Sequence, residues 1–141
     1  GTAGSIFFLK KEQFDSLIVI KGDIITDVDL DALREYHIVS NNDITITVTN
    51  YTYKLPFGLV KFNKDLSFLS LDEKPNISNF ILSGIYCLNK EVCNLIKNQT
   101  VDMTDIIQKA FLLKKKIGIF PISEYWKDIG NLNDYKSEKK K

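Results

Sequence analysis

Ser16-Leu17-Ile18-Val19-Ile20 is an apolar run without alternation, and it stops abruptly at Lys21-Gly22-Asp23. A run of that length suits a strand and falls far short of the roughly 20 apolar residues that cross a bilayer. The missing alternation predicts a strand covered on both faces, as in a parallel sheet. Its neighbours fit a layered α/β arrangement. Ala3 to Lys11 reads as a short helix, opened by Gly1-Thr2-Ala3-Gly4. From Asp29 to Val39, Leu30, Leu33, Tyr36 and Val39 recur at helical spacing, with Asp27 or Asp29 as N-cap. Ile44 to Thr49 then alternates strictly, as a strand does. The order helix, strand, helix, strand favours an α/β layer architecture.

The middle of the chain changes character. Gly58 to Phe62 and Leu66 to Leu71 flank Asn63-Lys64-Asp65 and predict a β-hairpin, followed by the polar exit Asp72-Glu73-Lys74-Pro75. Phe80 to Leu88 is a further apolar strand, with Gly84 where backbone or ligand approaches closely. Helices are expected at Lys90 to Lys97 and Thr104 to Lys114, and a last one near Asn131. Pro121 confines the strand Ile117 to Ile122 to an edge or an end. Lys114-Lys115-Lys116 and the tail from Lys136 to Lys141 read as solvated helix ends, where cations suit the dipole. No internal repeat, linker or domain boundary is evident.

With 141 residues, the chain has the length of one domain. The formal net charge of +1 argues against a polyanion binder, so nucleic acid is not an expected partner. There is no secretory signal at the start and no apolar run of membrane length, which predicts a cytoplasmic setting without membrane contact. Cys87 and Cys93 match neither a redox pair nor a zinc spacing, and they are expected to be free thiols that pack as small hydrophobes. His37, the single histidine, cannot build a multi-histidine metal site.

In open α/β sheets, ligands bind beyond the carboxyl ends of the strands. Asp23 follows the first apolar strand, and Asp128 follows the Ile117 to Ile122 strand after Ser123-Glu124-Tyr125-Trp126-Lys127. Two carboxylates meeting there suit Mg²⁺, which takes one or two protein carboxylates plus substrate phosphates. Turn or helix capping is the plainer role for each. Glu73 at a strand exit can accept from sugar hydroxyls, and Lys74 can hold a phosphate as a point charge. A solvated turn before the proline is the plainer reading of both taken alone. The Gly1 to Gly4 helix start could bring backbone amides to a base or an anion. Asp27-Val28-Asp29 has the Asp-x-Asp pattern of metal-dependent glycosyltransferases, yet suits helix capping. Asn76-Ile77-Ser78 and Asn98-Gln99-Thr100 are glycosylation acceptors only in a secreted protein.

Six segments taken in order resemble the sugar-1-phosphate nucleotidylyltransferase family, with the closest likeness to mannose-1-phosphate guanylyltransferase-like members. Gly1-Thr2-Ala3-Gly4 matches the Leu-Gly-Thr-Ala-Gly segment beside the nucleobase. Val19-Ile20-Lys21-Gly22-Asp23 matches the strand ending in Asn-Gly-Asp. Leu55-Pro56-Phe57-Gly58-Leu59-Val60 resembles Val-Pro-Tyr-Gly-Val-Val, and Glu73-Lys74-Pro75 matches the Glu-Lys-Pro signature. Leu82-Ser83-Gly84-Ile85-Tyr86 resembles Asn-Ala-Gly-Ile-Tyr, and Tyr125-Trp126-Lys127-Asp128-Ile129-Gly130 resembles Tyr-Trp-x-Asp-Ile-Gly.

The resemblance implies a Rossmann-like, GT-A-like α/β fold: a mixed, mostly parallel sheet flanked by helices, with a β-hairpin insertion. It implies nucleotidylyl transfer, in which an NTP (GTP favoured) and a sugar 1-phosphate give an NDP-sugar and pyrophosphate. Asp23 and Asp128 would be the Mg²⁺ ligands, and with Lys74 the catalytic set. Gly1, Thr2, Ala3, Gly22, Glu73, Lys74, Ser83 and Gly84 would bind substrate. A homo-oligomer and upstream CBS domains are compatible with it.

This sequence departs from the family pattern at three points. The Gly-x-Gly-Thr-Arg loop with its downstream Pro-Lys is absent, so residues 1–141 read as the C-terminal portion of a catalytic domain, inactive by itself. Lys21 stands where Asn is usual, and a cation there would either depress the pKa of the Asp23 carboxylate or compete with the metal. Ser83 is read as replacing an Asn near the sugar. The last two departures support the alternative of a non-catalytic, nucleotide-sugar-binding homologue or regulatory subunit.

Overall fold

The computed structural model describes residues 3–97 and 100–130. In chain order the elements are a 3-10 helix Gly4–Lys11, β1 Ser16–Ile20, β2 Ile24–Thr26, α1 Leu30–Val39, β3 Ile44–Lys54, β4 Leu59–Phe62, β5 Phe68–Asp72, β6 Asn76–Asn89, α2 Lys90–Cys93, α3 Met103–Leu112, β7 Ile117–Pro121 and β8 Trp126–Asp128. The chain divides into two compact units, Gly1–Val48 with Leu82–Lys141, and Thr49–Ile81. Residues expected to form a last helix from Asn131 lie outside the described residues, as do Gly1 and Thr2.

The first unit is organised by a four-stranded sheet in the order β1-β6-β3-β7. The sheet is mixed. β7 runs parallel to β3, from Ile44 opposite Ile117 to Val48 opposite Pro121. β1 runs antiparallel to β6, from Ser16 opposite Asn89 to Ile20 opposite Ile85. Pro121 sits on an edge strand as its missing N–H requires.

Alternate residues of β6 feed two cores. Tyr86 and Leu88 join Ile44, Ile46, Val48, Val92, Met103, Ile106 and Ala110 on one face. Ile85 and Cys87 join Val28, Leu33 and Ile122 on the other. Helices therefore cover both faces, which is the layered α/β architecture expected. α1 starts where Asp29 accepts a hydrogen bond from the Ala32 amide at 2.9 Å, so the Asp-x-Asp tripeptide is a helix start here. Its Leu33 and His37 are spaced to face the sheet and are both buried. Burying Leu33 alone contributes roughly 1.5–3 kcal/mol. Both cysteines are free and buried, as expected.

One strand expectation needs correction. The unbroken apolar run of β1 predicts a parallel, fully covered strand; it is an antiparallel, half-buried edge strand. Its continuous apolar run reflects cover on both faces, with Leu17 and Val19 packing on one core and Ile18 on the other. Such cover says nothing of the direction of the neighbouring strand. β3 alternates perfectly in sequence, yet residues Ile44 to Val48 are all buried. Its threonines face a polar interior: Thr45 Oγ1 meets His37 Nδ1 at 2.9 Å and accepts from Asn42 Nδ2 at 3.1 Å. Thr47 donates to the Ile85 carbonyl at 2.8 Å. β6 is also longer than expected, and the Lys90 to Lys97 helix contracts to one turn, α2. Lys115 is not a merely solvated helix end, because it pairs with Glu91 at 2.7 Å and Asp43 at 3.6 Å.

The second unit contains the β4–β5 hairpin at the place predicted, antiparallel from Leu59 opposite Asp72. Its turn is held by the Ser67 amide and hydroxyl, both donating to Asp65. Thr52 and Ser78 share a hydrogen bond at 2.6 Å, and the Leu55 amide donates to the Pro75 carbonyl.

Candidate active site

A two-stranded ribbon brings the two predicted carboxylates together. β2 pairs antiparallel with β8, so Ile24 lies opposite Asp128 and Thr26 opposite Trp126. The Ile129 amide donates to the Asp23 carbonyl at 2.8 Å, and Thr26 Oγ1 donates to the Tyr125 carbonyl at 2.8 Å. The first bond clips the end of β8 to the turn after β1, and the second ties the start of β8 to the end of β2. Neither three-residue strand is readable from periodicity, since each is too short to show a pattern.

Between the carboxylates lies a third side chain. Lys21 Nζ is 2.9 Å from Asp23 Oδ2 and 3.2 Å from Asp128 Oδ2. Hydrogen bonding to Asp23, then to Asp128, raises the pKa of this ammonium above its usual value. All three side chains are near two-fifths exposed, so water screens the pairing. Asp23 Oδ1 is buried with no hydrogen-bond partner. Among the described residues, no cluster of three or more His, Cys, Asp or Glu is placed to hold a metal. The donor set nevertheless fits Mg²⁺, which needs only one or two carboxylates beside water and phosphate oxygens. Two carboxylate oxygens already converge on one cation, and a third oxygen stands unpartnered beside them.

Lys21 is held there by its main chain. Its amide donates to the Gly84 carbonyl at 2.9 Å. Gly84 has φ of +81°, and a Cβ on it would lie 3.2 Å from Lys21 Cβ and 3.3 Å from Ile24 Cγ1. Glycine is thus required both for the backbone angle and for the close packing of the β1–β2 turn. By contrast, nothing lies within 4 Å of a Cβ built on Gly22.

A hollow of about 300 Å³ opens beside this cluster, lined by Lys21, Ile24, Leu82, Ser83, Gly84, Tyr86, Trp126, Asp128 and the first residues of α3, Asp102 to Thr104. The helix begins in a capping box between Asp102 and Asp105. Trp126 Nε1 donates to the Ser83 carbonyl at 2.7 Å, fixing one wall.

Ser83 lines the hollow, yet it is fully buried and its hydroxyl is hydrogen-bonded to Thr47 Oγ1. Residue for residue, Leu82 rather than Ser83 stands opposite the Asn of the resembled segment, and Leu82 is the exposed member. Ala3 is likewise fully buried, and its amide donates to the Val101 carbonyl at 3.1 Å, so that amide is not open to a ligand. Glu73 and Lys74 belong to the second unit. Both are well exposed, with Lys74 Nζ 4.0 Å from Glu73 Oε1 and Lys74 in the left-handed region at φ 47°. Among the described residues, no helix is long and apolar enough to cross a membrane.

Sequence comparison gives the family: the chain belongs to the nucleotidyl transferase family, whose model matches residues 1–141. It is 30% identical to glucose-1-phosphate adenylyltransferase of Bacillus subtilis over 94% of this chain and 39% of the relative. It is also 30% identical to a candidate mannose-1-phosphate guanyltransferase of Sulfolobus acidocaldarius, over 96% of this chain and 38% of that protein. Among solved structures, HddC from Yersinia pseudotuberculosis aligns with a TM-score of 0.65 at 26% identity, covering 100% of this chain and 63% of HddC. The chain thus spans about two fifths of the length of these curated relatives.

Proposed function

We propose that this chain forms part of a sugar-1-phosphate nucleotidylyltransferase, joining an NTP to a sugar 1-phosphate with release of pyrophosphate. One observation carries the reading: Asp23 and Asp128, distant in sequence, converge on a single cation beside a hollow. A phosphate oxygen of the sugar 1-phosphate forms a bond to the α-phosphorus, and the bond from that phosphorus to the bridging oxygen of the leaving pyrophosphate breaks. The attacking oxygen is already anionic, so no general base is needed. Positioning and charge neutralisation supply the rate.

Mg²⁺ held by Asp23 and Asp128 would neutralise charge at the α-phosphate. Trp126 and Leu82 wall the hollow, while Gly84 lets Lys21 and Ile24 pack closely beside it. Lys74 is assigned to the sugar phosphate and Glu73 to sugar hydroxyls, on their match to the Glu-Lys-Pro signature. The named relatives divide between adenylyl and guanylyl transfer. GTP is the nucleotide this reading favours.

The test is pyrophosphate release with four NTPs against several hexose and hexosamine 1-phosphates, run on this chain and on the full gene product that carries it. Turnover with one pair, lost in Asp23→Ala and Asp128→Ala, is the expected result. Silence across the grid with retained nucleotide-sugar binding would favour the second reading, a binding homologue without turnover. The Lys21 bridge across both carboxylates is the observation on its side.

A further inference from the structure

The Lys21 ammonium stands where the carboxylates of Asp23 and Asp128 converge, 2.9 and 3.2 Å away. An ammonium and a divalent cation cannot share that point, because each would meet a like charge at contact distance in place of a carboxylate. The main chain of Lys21 is pinned by its bond to the Gly84 carbonyl, and its Cβ packs against Gly84. Its head, however, rides on a flexible four-carbon stem, and the side chain is 38% exposed, so the ammonium can leave into water without disturbing the turn. Asp23 Oδ1, buried and unpartnered, remains for an incoming cation to engage.

We propose that Lys21 is a tethered competitor for the cation site: its ammonium and a divalent cation are alternative occupants of the position between Asp23 and Asp128, so Lys21 sets how tightly the chain holds metal. This rests on the reading of Asp23 and Asp128 as a cation-holding pair. Removing the ammonium raises metal affinity because the carboxylates then have no resident counter-ion. Replacing it with another cation does not.

The test is Mn²⁺ binding to the whole chain, followed by calorimetry and by loss of the free-ion paramagnetic resonance signal, with circular dichroism confirming that each variant is folded. Lys21→Gln is expected to bind on the order of 10- to 100-fold tighter than the parent, the span over which neighbouring groups tune metal sites. Lys21→Arg should bind no tighter than the parent. Adding Asp23→Asn to Lys21→Gln should abolish the gain. Equal affinity in parent and Lys21→Gln, with both lost on Asp23→Asn, overturns the competitor role and leaves the cation pair standing. No binding even by Lys21→Gln overturns both.

Discussion

The indole Nε1 of Trp126 donates to the carbonyl oxygen of Ser83 across 2.7 Å, tying β8 to β6 at the wall of the hollow that holds Asp128. Ser83 is fully buried, so its carbonyl loses a partner that water cannot replace when the indole is removed. Trp126→Phe should therefore cost about 1 kcal/mol in urea unfolding. Trp126 is also the single tryptophan. Titration with an NDP-sugar and Mg²⁺ should change its emission and saturate, whereas calorimetric binding with unchanged emission would place the ligand elsewhere.

Gly84 sits at φ +81° with Lys21 and Ile24 against the place of a Cβ. Gly84→Ala should destabilise by about 1–2 kcal/mol from the left-handed angle alone. It should also displace the Lys21 turn. Urea midpoints read the first effect, and altered Mn²⁺ affinity reads the second.

A Cβ on Gly118 would fall 2.0 Å from Asn42 Nδ2, the atom that donates to Thr45. Gly118→Ala should cost roughly 1–3 kcal/mol through overpacking and the displaced side chain. Asn42→Ala removes the colliding amide. In a double-mutant cycle the pair should cost less than the sum of the single changes.

His37 is buried against Thr45, and burial lowers its pKa below 6.5, opposed by the charge of Asp43. Protonation then favours the unfolded chain. Its contribution is complete above the unfolded value of 6.5 and is lost as pH falls through the lower folded value. Urea midpoints should fall from pH 7 toward pH 5 in the parent, and the fall should shrink in His37→Gln.

Burial pushes the Cys87 thiol up to about 11 and raises that of Cys93. A thiol-reactive chromophore at pH 8 should label neither in the native chain and both in urea. Labelling of the native chain at the rate of a free thiol would contradict their burial.

Much of this was legible in the sequence because it is local. The Asp29 cap, the β4–β5 hairpin and the edge position of Pro121 follow from backbone chemistry within a few residues of each. Asp23 and Asp128 were legible as candidates through their motifs. Lys21 was legible as a cation next to Asp23, though not as one that spans both carboxylates.

What local chemistry could not supply is which segments meet. The apolar run of β1 announced a covered strand, but its antiparallel pairing depends on β6, far along the chain. β3 alternates in sequence, and its Thr45 and Thr47 are nevertheless buried, because His37, Asn42 and Ser83 bring partners to them. The same holds for Ser83, whose motif implies a sugar contact and whose hydroxyl is also bonded to Thr47 inside the sheet. Local chemistry specifies most of the longer elements, the Asp29 cap and the residues able to do chemistry. Only the tertiary structure decided that one ammonium lies between two carboxylates, because that placement depends on a β2–β8 pairing between strands too short to leave a periodic trace.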